Sequence, residues 1–287
     1  MKHLIKTILI GAALATLCAC GQKKDTPIRF ANYNMRVILA RDSLDRAFTA
    51  RKPFIIKRIS DHDFDIIGAQ EVNDAMKEAL MEDLKGTYGV IGEGRRADRK
   101  GEGTPIFYKT SRFELLDWGS FWLSETPDVP GSKNWDASVE RIATWSKFLD
   151  KVTGRKFFYI NTHYDHKGPE SRTMAAKITL DKARELSDGL PVFVTGDLNT
   201  NSTSEAIAIL SDNELVKDSY ISSETAPTGR KSPYYAFDFD RADSDRGDYI
   251  FVPKDATVLS YACVDDDIKD RQYSSDHCPI LVEVILK

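Results

Sequence analysis

The chain reads as a mixed α/β protein, on three observations. Short β-branched or aromatic runs bounded by turn residues recur along its length, helix-period apolar patterns lie between the early ones, and two later strand runs face each other across Thr153-Gly154. A strand–helix–strand succession implies parallel pairing and a tight turn implies antiparallel pairing, so one domain should contain both.

Strands are expected at residues 28–35, 64–70, 105–109, 113–123, 139–149, 156–162, 192–195, 249–252, 257–263 and 279–286. Residues 51–62 carry Phe54, Ile55 and Ile59 at helical spacing. Residues 169–188 open with Pro169 in the first turn, place Ala176, Leu180 and Ala183 on one face, and stop at Gly189 and Pro191. Further helices are expected from Asn73 onward and near Ser204. The loops at 92–103 and 124–138 are long for connectors, and such loops more often carry binding. With no internal repeat, low-complexity stretch or Pro/Gly/Ser linker, residues 28–287 read as one domain, near the upper size for a single core.

The N-terminus reads as an address. Lys2 and Lys6 precede an apolar run over 8–17 that is too short to span a bilayer permanently, and Leu17-Cys18-Ala19-Cys20 matches a bacterial lipoprotein signal. The expectation is a signal peptide at 1–19, a lipidated tether at 20–27 acylated at Cys20, and an exported protein anchored to the cell envelope, on the periplasmic or surface side of the outer membrane. An ordinary signal peptide cut near Ala19 is the simpler alternative. Loss of residues 1–19 removes two lysines and no acids, taking the formal charge from -4 to -6. An acidic chain argues against broad duplex binding, which draws its affinity from neutralised phosphates, but leaves room for a local basic pocket. Cys263 and Cys278 lie in strand-like segments without zinc-site spacing, and a bridge or two buried thiols fit equally.

Polar residues capable of chemistry stand repeatedly at the ends of apolar strands. Residues 28–33 run into Asn34, 64–70 into Glu71, 157–162 into His163, and 192–195 into Asp197 and Asn199. Arg246-Gly247-Asp248-Tyr249-Ile250 and Ser274-Ser275-Asp276-His277 follow near the C-terminus. A strand is a rigid pedestal, and the first polar residue past its end is held at a cleft with little freedom.

Taken in order, Tyr33-Asn34, Gln70-Glu71, Asn161-Thr162-His163, Gly196-Asp197-Leu198-Asn199, Gly247-Asp248-Tyr249-Ile250 and Ser275-Asp276-His277 resemble the motifs of the endonuclease/exonuclease/phosphatase family. The phrases Phe121-Trp122-Leu123-Ser124-Glu125-Thr126-Pro127 and Arg141-Ile142-Ala143-Thr144-Trp145 are similar to its exported, Bacteroidetes-type lipoprotein members. The resemblance implies a four-layered αββα sandwich of two mixed sheets with outer helices, with the site at one end of the sheets. It further implies a hydrolase of phosphate esters dependent on Mg²⁺ or Mn²⁺. Glu71, with Asn34 and Asp276, resembles the hard-oxygen metal shell. Asp197 and Asn199 match the water-orienting and phosphate-contacting pair, and His163 the donor to a phosphate oxygen. His277 with Asp248 behind it matches the Asp–His pair; whether Asp197 or His277 is the base stays open. Several nuclease members carry an acid where this chain has Arg36, so a single ion is expected.

Three basic features are weaker. Arg95 and Arg96, in the run 95–100, are expected to clamp substrate phosphate, with Arg141 and His166 as further phosphate contacts; Asp165 is a supporting residue or part of a solvated loop. His62 reads as a surface residue, and Trp118, Trp122, Trp135 and Trp145 as core or cleft wall. The expected function is hydrolysis of phosphodiesters, nuclease-like and on single-stranded or small nucleic acid, or of phosphomonoesters. A sugar-phosphate, inositol-phosphate or lipid-headgroup phosphoesterase follows closely, and a non-catalytic surface binding lipoprotein is the rival from another class. A monomer is expected, with the membrane reached through the lipid.

Overall fold

The computed structural model describes residues 25–287, so the expected signal segment and Cys20 lie outside the described residues. Twelve strands form two six-stranded sheets. The first holds β1 (Ile28–Asn34), β2 (Ile66–Gln70), β3 (Tyr88–Ile91), β4 (Ile106–Lys109), β11 (Thr257–Cys263) and β12 (Ile280–Ile285), in the order β11-β12-β1-β2-β4-β3. The second holds β5 (Phe113–Trp122), β6 (Ile142–Asp150), β7 (Lys156–His163), β8 (Val192–Asp197), β9 (Val216–Asp218) and β10 (Asp248–Pro253), in the order β5-β6-β7-β8-β10-β9. One central pair in each sheet is parallel, β1 with β2 and β7 with β8, and every other pairing is antiparallel. The short edges β3 and β9 are missing from the sequence reading.

Helices cover both outer faces. Helices α1 (Phe48–Asp61) and α2 (Asp74–Leu84) press Ile55, Ile59, Met76 and Leu80 onto Tyr33, Ile67 and Phe107 of the first sheet. Helices α3 (Pro169–Leu186) and α4 (Glu205–Ser211) press Ala176, Leu180 and Ile207 onto Phe158, Val194 and Phe251 of the second. Between the sheets lie Phe30, Ile66, Phe157, Phe193, Ile250 and Val282. The architecture is therefore the four-layered sandwich.

Local chemistry sets the helix starts. The Asn73 side chain accepts the Met76 N–H at 3.0 Å, a cap worth about 1 kcal/mol. Asp136 accepts the Ser171 and Glu170 N–H groups at 2.7 and 3.2 Å, an anion at the positive end of α3. Asn73 and Pro169 are thus read correctly as boundary residues, while α1 begins at Phe48, three residues before the apolar pattern suggests.

Period-two alternation explains how the site is placed. Along β1, Phe30, Asn32 and Asn34 share the face toward the second sheet, while Ala31 and Tyr33 face the helices. The same face carries Phe157, Tyr159, Asn161 and His163 on β7, Phe193, Thr195 and Asp197 on β8, and Ile250 and Asp248 on β10. Every central strand therefore runs from aromatic or aliphatic at one end of the sandwich to polar at the other.

A buried polar belt joins the sheets between these extremes. Gln70 Nε2 donates to Asn32 Oδ1 at 2.8 Å and to Asn161 Oδ1 at 2.6 Å, and Asn161 Nδ2 donates to the carbonyls of Ala69 and Pro105. Thr195 Oγ1 reaches the Tyr159 hydroxyl at 2.9 Å. Buried amides of this kind fix sheet register, since an unmade bond among them costs about 1–3 kcal/mol. Gly68 lies where the belt crosses: a Cβ there would stand 2.4 Å from Thr195 Oγ1.

Candidate active site

The polar ends of β1, β2, β7, β8 and β10 open into a cleft of about 570 Å³. Register brings the expected residues together. His163 on β7 lies opposite Asp197 on β8, Asp197 lies opposite Asp248 on β10, and Asn34 lies opposite Gln70, one residue before Glu71. Asp276 and His277 arrive on the segment before β12, which Ser275 ties to β1 by donating to the Asn34 carbonyl at 2.6 Å.

Asn34 links two acids, its Nδ2 donating to Glu71 Oε1 at 3.1 Å and to Asp197 Oδ2 at 3.0 Å. The Val37 N–H bonds Glu71 Oε2 at 2.9 Å. Burial works against the Glu71 carboxylate, yet these two donors, with the charges of His277 and Arg36, hold it below its ordinary pKa. Asp276 is pushed the other way, by burial first and then by the Glu71 charge. Arg36, Glu71 and Asn199 all have φ between +50° and +62°, a cluster of left-handed residues at the cleft, where such strain is most often kept.

On the other side His277 Nδ1 lies 3.0 Å from Asp248 Oδ2, while Asp248 Oδ1 accepts from Asn32 at 3.3 Å. Burial opposes a charged ring, but Asp248, Asp197 and Asp276 outweigh it and raise His277 well above its usual value, favouring the charged ring. Burial and the neighbouring Asp248 raise Asp197 to about 7. Its Oδ2 stands 3.9 Å from His277 Nε2 and 3.6 Å from His163 Nε2. His163 is held neutral, by burial first and then by Arg141 and Arg95. Asn199 Nδ2 donates to His163 Nε2 and to the Tyr164 carbonyl, both at 3.0 Å, leaving Nδ1–H as the ring's donor in that tautomer.

The basic wall differs from expectation. Arg95 lines the cleft but is paired with Glu102, with nitrogen–oxygen distances of 2.9 and 3.1 Å. Arg96 is not brought to the cleft: it pairs with Asp98 on the exposed loop, because residues 95–100 fold back on themselves through the Arg96 and Arg99 turn bonds. Arg141 lines the cleft from just before β6, not from within a strand, because the chain through Ser138 and Val139 is spent binding Asp165. Arg141 Nη2 donates to His166 Nδ1 at 3.0 Å. Its Nε lies 3.8 Å from Asp165 without a hydrogen bond, and Nη1 has no partner among the described residues. Asp165 is a loop organiser, accepting N–H groups of Ser138, Val139, Lys167 and Gly168.

Several residues escaped sequence reasoning. Arg51, on α1, is buried and donates to the carbonyls of Met35, Arg36, Arg46 and Ser274, clamping the β1 and Asp276 loops together. Arg58 meets Asp267 at 2.8 Å, and Asp267 in turn accepts from the Ser274 N–H. Arginines in a helical pattern read as solvated, and no local signal shows that the Ser274 carbonyl and the Asp267 carboxylate, 223 and 209 residues away, are among their partners. His62, read as a surface residue, is half-buried, 2.6 Å from Asp266 and stacked on Phe64. Trp122 is core, whereas Trp118 is exposed. Cys263 and Cys278 are buried and unbridged.

A sandwich whose open end gathers carboxylates, amides, an imidazolium and a neutral imidazole is built for hydrolysis of an anionic ester. The chain belongs to the Endonuclease/Exonuclease/phosphatase family, whose family model matches residues 31–277, and is a hydrolase acting on phosphoester bonds. It is similar to a solved family member from Bacteroides vulgatus at 36% identity, covering 91% of this chain and 100% of that one, with a TM-score of 0.85. It is similar to a mannosyl-6-phosphatase of Bacteroides thetaiotaomicron at 34% identity, covering 90% and 100%, with a TM-score of 0.84. A CCR4-Not complex 3'-5'-exoribonuclease subunit of Aspergillus terreus is 28% identical over 160 residues, 48% of this chain and 23% of that protein's length. The chain also spans 30% and 59% of two mimivirus proteins that it matches.

Enzymes of this family depend on a divalent metal, and two acidic groups in the cleft are of the right kind. Asp197, Asp248 and His277 present ligand atoms within 4.8 Å of one another. However, His277 Nδ1 and Asp248 Oδ2 are spent on each other, 3.0 Å apart. Glu71 and Asp276 line the same cleft and offer hard carboxylate oxygens of the kind a divalent cation takes.

Proposed function

We propose that the protein is a divalent-metal-dependent phosphomonoesterase acting on a small phosphorylated sugar or similar polyol. The observation that carries this reading is Arg141: a buried guanidinium in the cleft wall beside His163, with one N–H group orphaned and another unpartnered. A monoester dianion carries one more negative charge than a diester and so gains more from a guanidinium held in the cleft wall. The likeness to a mannosyl-6-phosphatase along nearly the whole chain supports the same reading. An acidic chain with a confined cleft favours a small substrate over a long nucleic acid.

In this proposal Glu71 and Asp276, with Asn34, hold Mg²⁺ or Mn²⁺. The ion would neutralise phosphate charge and polarise the phosphoryl oxygen. Asp197, titrating near neutrality, would take the proton of the attacking water as the P–O bond to the sugar breaks, the departing alkoxide taking its proton from solvent, while Asn199 orients the phosphate. The His277 imidazolium, held by Asp248, and the neutral His163 donate to the non-bridging oxygens, and Arg141 with His166 completes the anion's cradle.

Arg141→Met is expected to lower kcat/KM for hexose 6-phosphates by about 10–100-fold, the worth of a charge-assisted hydrogen bond, and to affect a diester far less. A panel of sugar phosphates, bis(p-nitrophenyl) phosphate and single-stranded oligonucleotides, assayed with Mg²⁺ and with Mn²⁺, checks both claims. Better turnover of the oligonucleotide or the diester than of every sugar phosphate would sink the monoesterase reading.

The Leu17–Cys20 signal supports envelope anchoring through Cys20 as part of the proposal. Cys20→Ser is expected to shift the protein from the membrane fraction to a soluble or precursor pool on fractionation, and equal partitioning of both forms would remove the anchor.

A further inference from the structure

We propose that Tyr234 is the platform on which the substrate's sugar ring stacks, so that the wall around it sets specificity for the group that leaves the phosphate. The inference deepens, and rests on, the reading of the protein as a sugar phosphomonoesterase. Tyr234 lines the cleft with Ser232, Ser244, Asp245 and Asn201. It is 37% exposed, whereas His163, Asp197, Asp248, Asp276 and His277 are buried. An aromatic ring left open beside buried polar chemistry is what a pocket uses to hold the less polar part of a ligand.

Strand order separates this wall from the cradle proposed for the anion. In the second sheet β6, β7, β8 and β10 are neighbours in that order. Arg141 precedes β6 and His166 follows β7, whereas Ser244 and Asp245 lead into β10. Adjacent strands lie about 4.8 Å apart, so the two groups flank Asp197 on opposite sides, with β6 and β10 on the order of 14 Å apart. The charged residues lining the β10 flank are paired, Asp245 with Lys231 at 2.8 Å and Arg246 with Asp218 at 2.6 Å. A phosphoryl group held between the flanks therefore meets the Arg141 guanidinium on one side and an uncharged aromatic ring on the other. The dianion belongs with the first and the departing alcohol with the second.

The ring is placed by its backbone. Tyr234 pairs with His277 in an isolated antiparallel bridge, the Cys278 N–H donates to the Pro233 carbonyl at 3.0 Å, and the N–H groups of Tyr235 and Ala236 donate to the Asp276 carbonyl at 2.9 and 3.2 Å. Its centroid lies 4.8 Å from that of the His277 ring, tilted by 46°. The Arg241 guanidinium lies 5.2 Å from the same ring. That arginine is exposed and has no ion pair among the described residues, so a ligand can displace it. A pyranose offers a face of C–H groups, whose partly positive hydrogens suit the negative face of an aromatic ring, and a rim of hydroxyls. Asn201 Nδ2 and Ser244 Oγ, without hydrogen-bond partners among the described residues, line the same cleft and can meet that rim.

The test compares mannose 6-phosphate with mannitol 6-phosphate, which differs only by reduction at C1 and so keeps the phosphate but has no ring. For the parent, kcat/KM should favour the hexose phosphate. Tyr234→Ala should cut that preference about tenfold, mainly through KM, as loss of one stacking partner does. Tyr234→Phe should keep the preference, because the ring face remains. If Tyr234 only props His277, Tyr234→Ala lowers both substrates alike and the ratio stays where it was. That result, no preference for the ring in the parent, or as large a loss of preference in Tyr234→Phe as in Tyr234→Ala would overturn the proposal. So would faster turnover of adenosine 5′-monophosphate than of mannose 6-phosphate, which would give the platform to a nucleobase. Failure of the parent to turn over any sugar phosphate would instead overturn the phosphomonoesterase reading itself, taking the subsite with it.

Discussion

His277→Ala is expected to reduce turnover by about 10²–10⁴-fold, the range for a positioned acid–base or charge-stabilising group, with no recovery at high metal. The size follows from what the ring holds together. Its Nδ1 is bonded to Asp248 and its Nε2 faces Asp197, so removing it takes a positive charge out of a buried cluster of acids. Asp197 would then lose an attractive charge that opposes its burial, rise further above about 7, and be protonated across the neutral range in which it must accept a proton. The activity profile should therefore shift toward alkaline pH. Asp248→Asn should be milder but of the same kind, since it keeps the ring and removes its largest source of charge. A His277 titration followed by NMR should then fall toward the usual histidine range. The sign for stability is fixed by the direction of the shift: a raised folded-state pKa stabilises below the ordinary histidine value, and this contribution fades as pH rises through the folded value. Metal rescue of His277→Ala, or an unchanged pH profile, would show that the ring is scaffolding.

How much of this could be read from the sequence depended on whether a residue acts through its own strand or through distant chain. Asn34, Glu71, His163, Asp197 and Asp248 each cap an apolar run, so local pattern alone locates them. Their convergence follows once the central strands are neighbours in the parallel pairs β1–β2 and β7–β8. The edge strands β3 and β9 were invisible because Tyr88–Ile91 and Val216–Asp218 are too short to show alternation and are set by pairing with β4 and β10. Asn32, Gln70 and Asn161 are polar positions inside strands, which from sequence count against burial. They are tolerated because each answers another across the sheet interface. Arg96 shows the opposite error, where a basic run suggested a phosphate clamp although its acids lie in the same loop and neutralise it locally. Arg51 and Arg36 show the limit most clearly, since no spacing rule connects a helix arginine to the Ser274 carbonyl.

Glu71→Gln is expected to weaken Mg²⁺ binding strongly while leaving the acid–base machinery in place, so activity falls at low metal and returns in part at high metal. Three features of Glu71 lead there. Its pKa stays below the ordinary value despite burial, because the Val37 and Asn34 donors favour the charged carboxylate. The donors responsible, Val37 N–H and Asn34 Nδ2, also fix the direction in which its oxygens point. Its neighbour Asp276 is raised and shared with Arg36, and so is the poorer ligand of the two until a cation arrives. Glutamine keeps the shape and one oxygen but loses the charge that a hard cation depends on, and its amide N–H₂ would meet either the Asn34 amide or the Val37 N–H donor to donor. The substitution thus removes the anion and disturbs the orientation at once, and an affinity loss on the order of 10²-fold is reasonable for two such defects together. Calorimetric metal titration beside turnover at rising Mg²⁺ separates this from a catalytic defect: weakened binding with partial rescue is the expected pair. Parent-like metal affinity in Glu71→Gln would mean that the cation sits elsewhere, and the cluster of Asp197, Asp248 and His277 would then be the alternative to test.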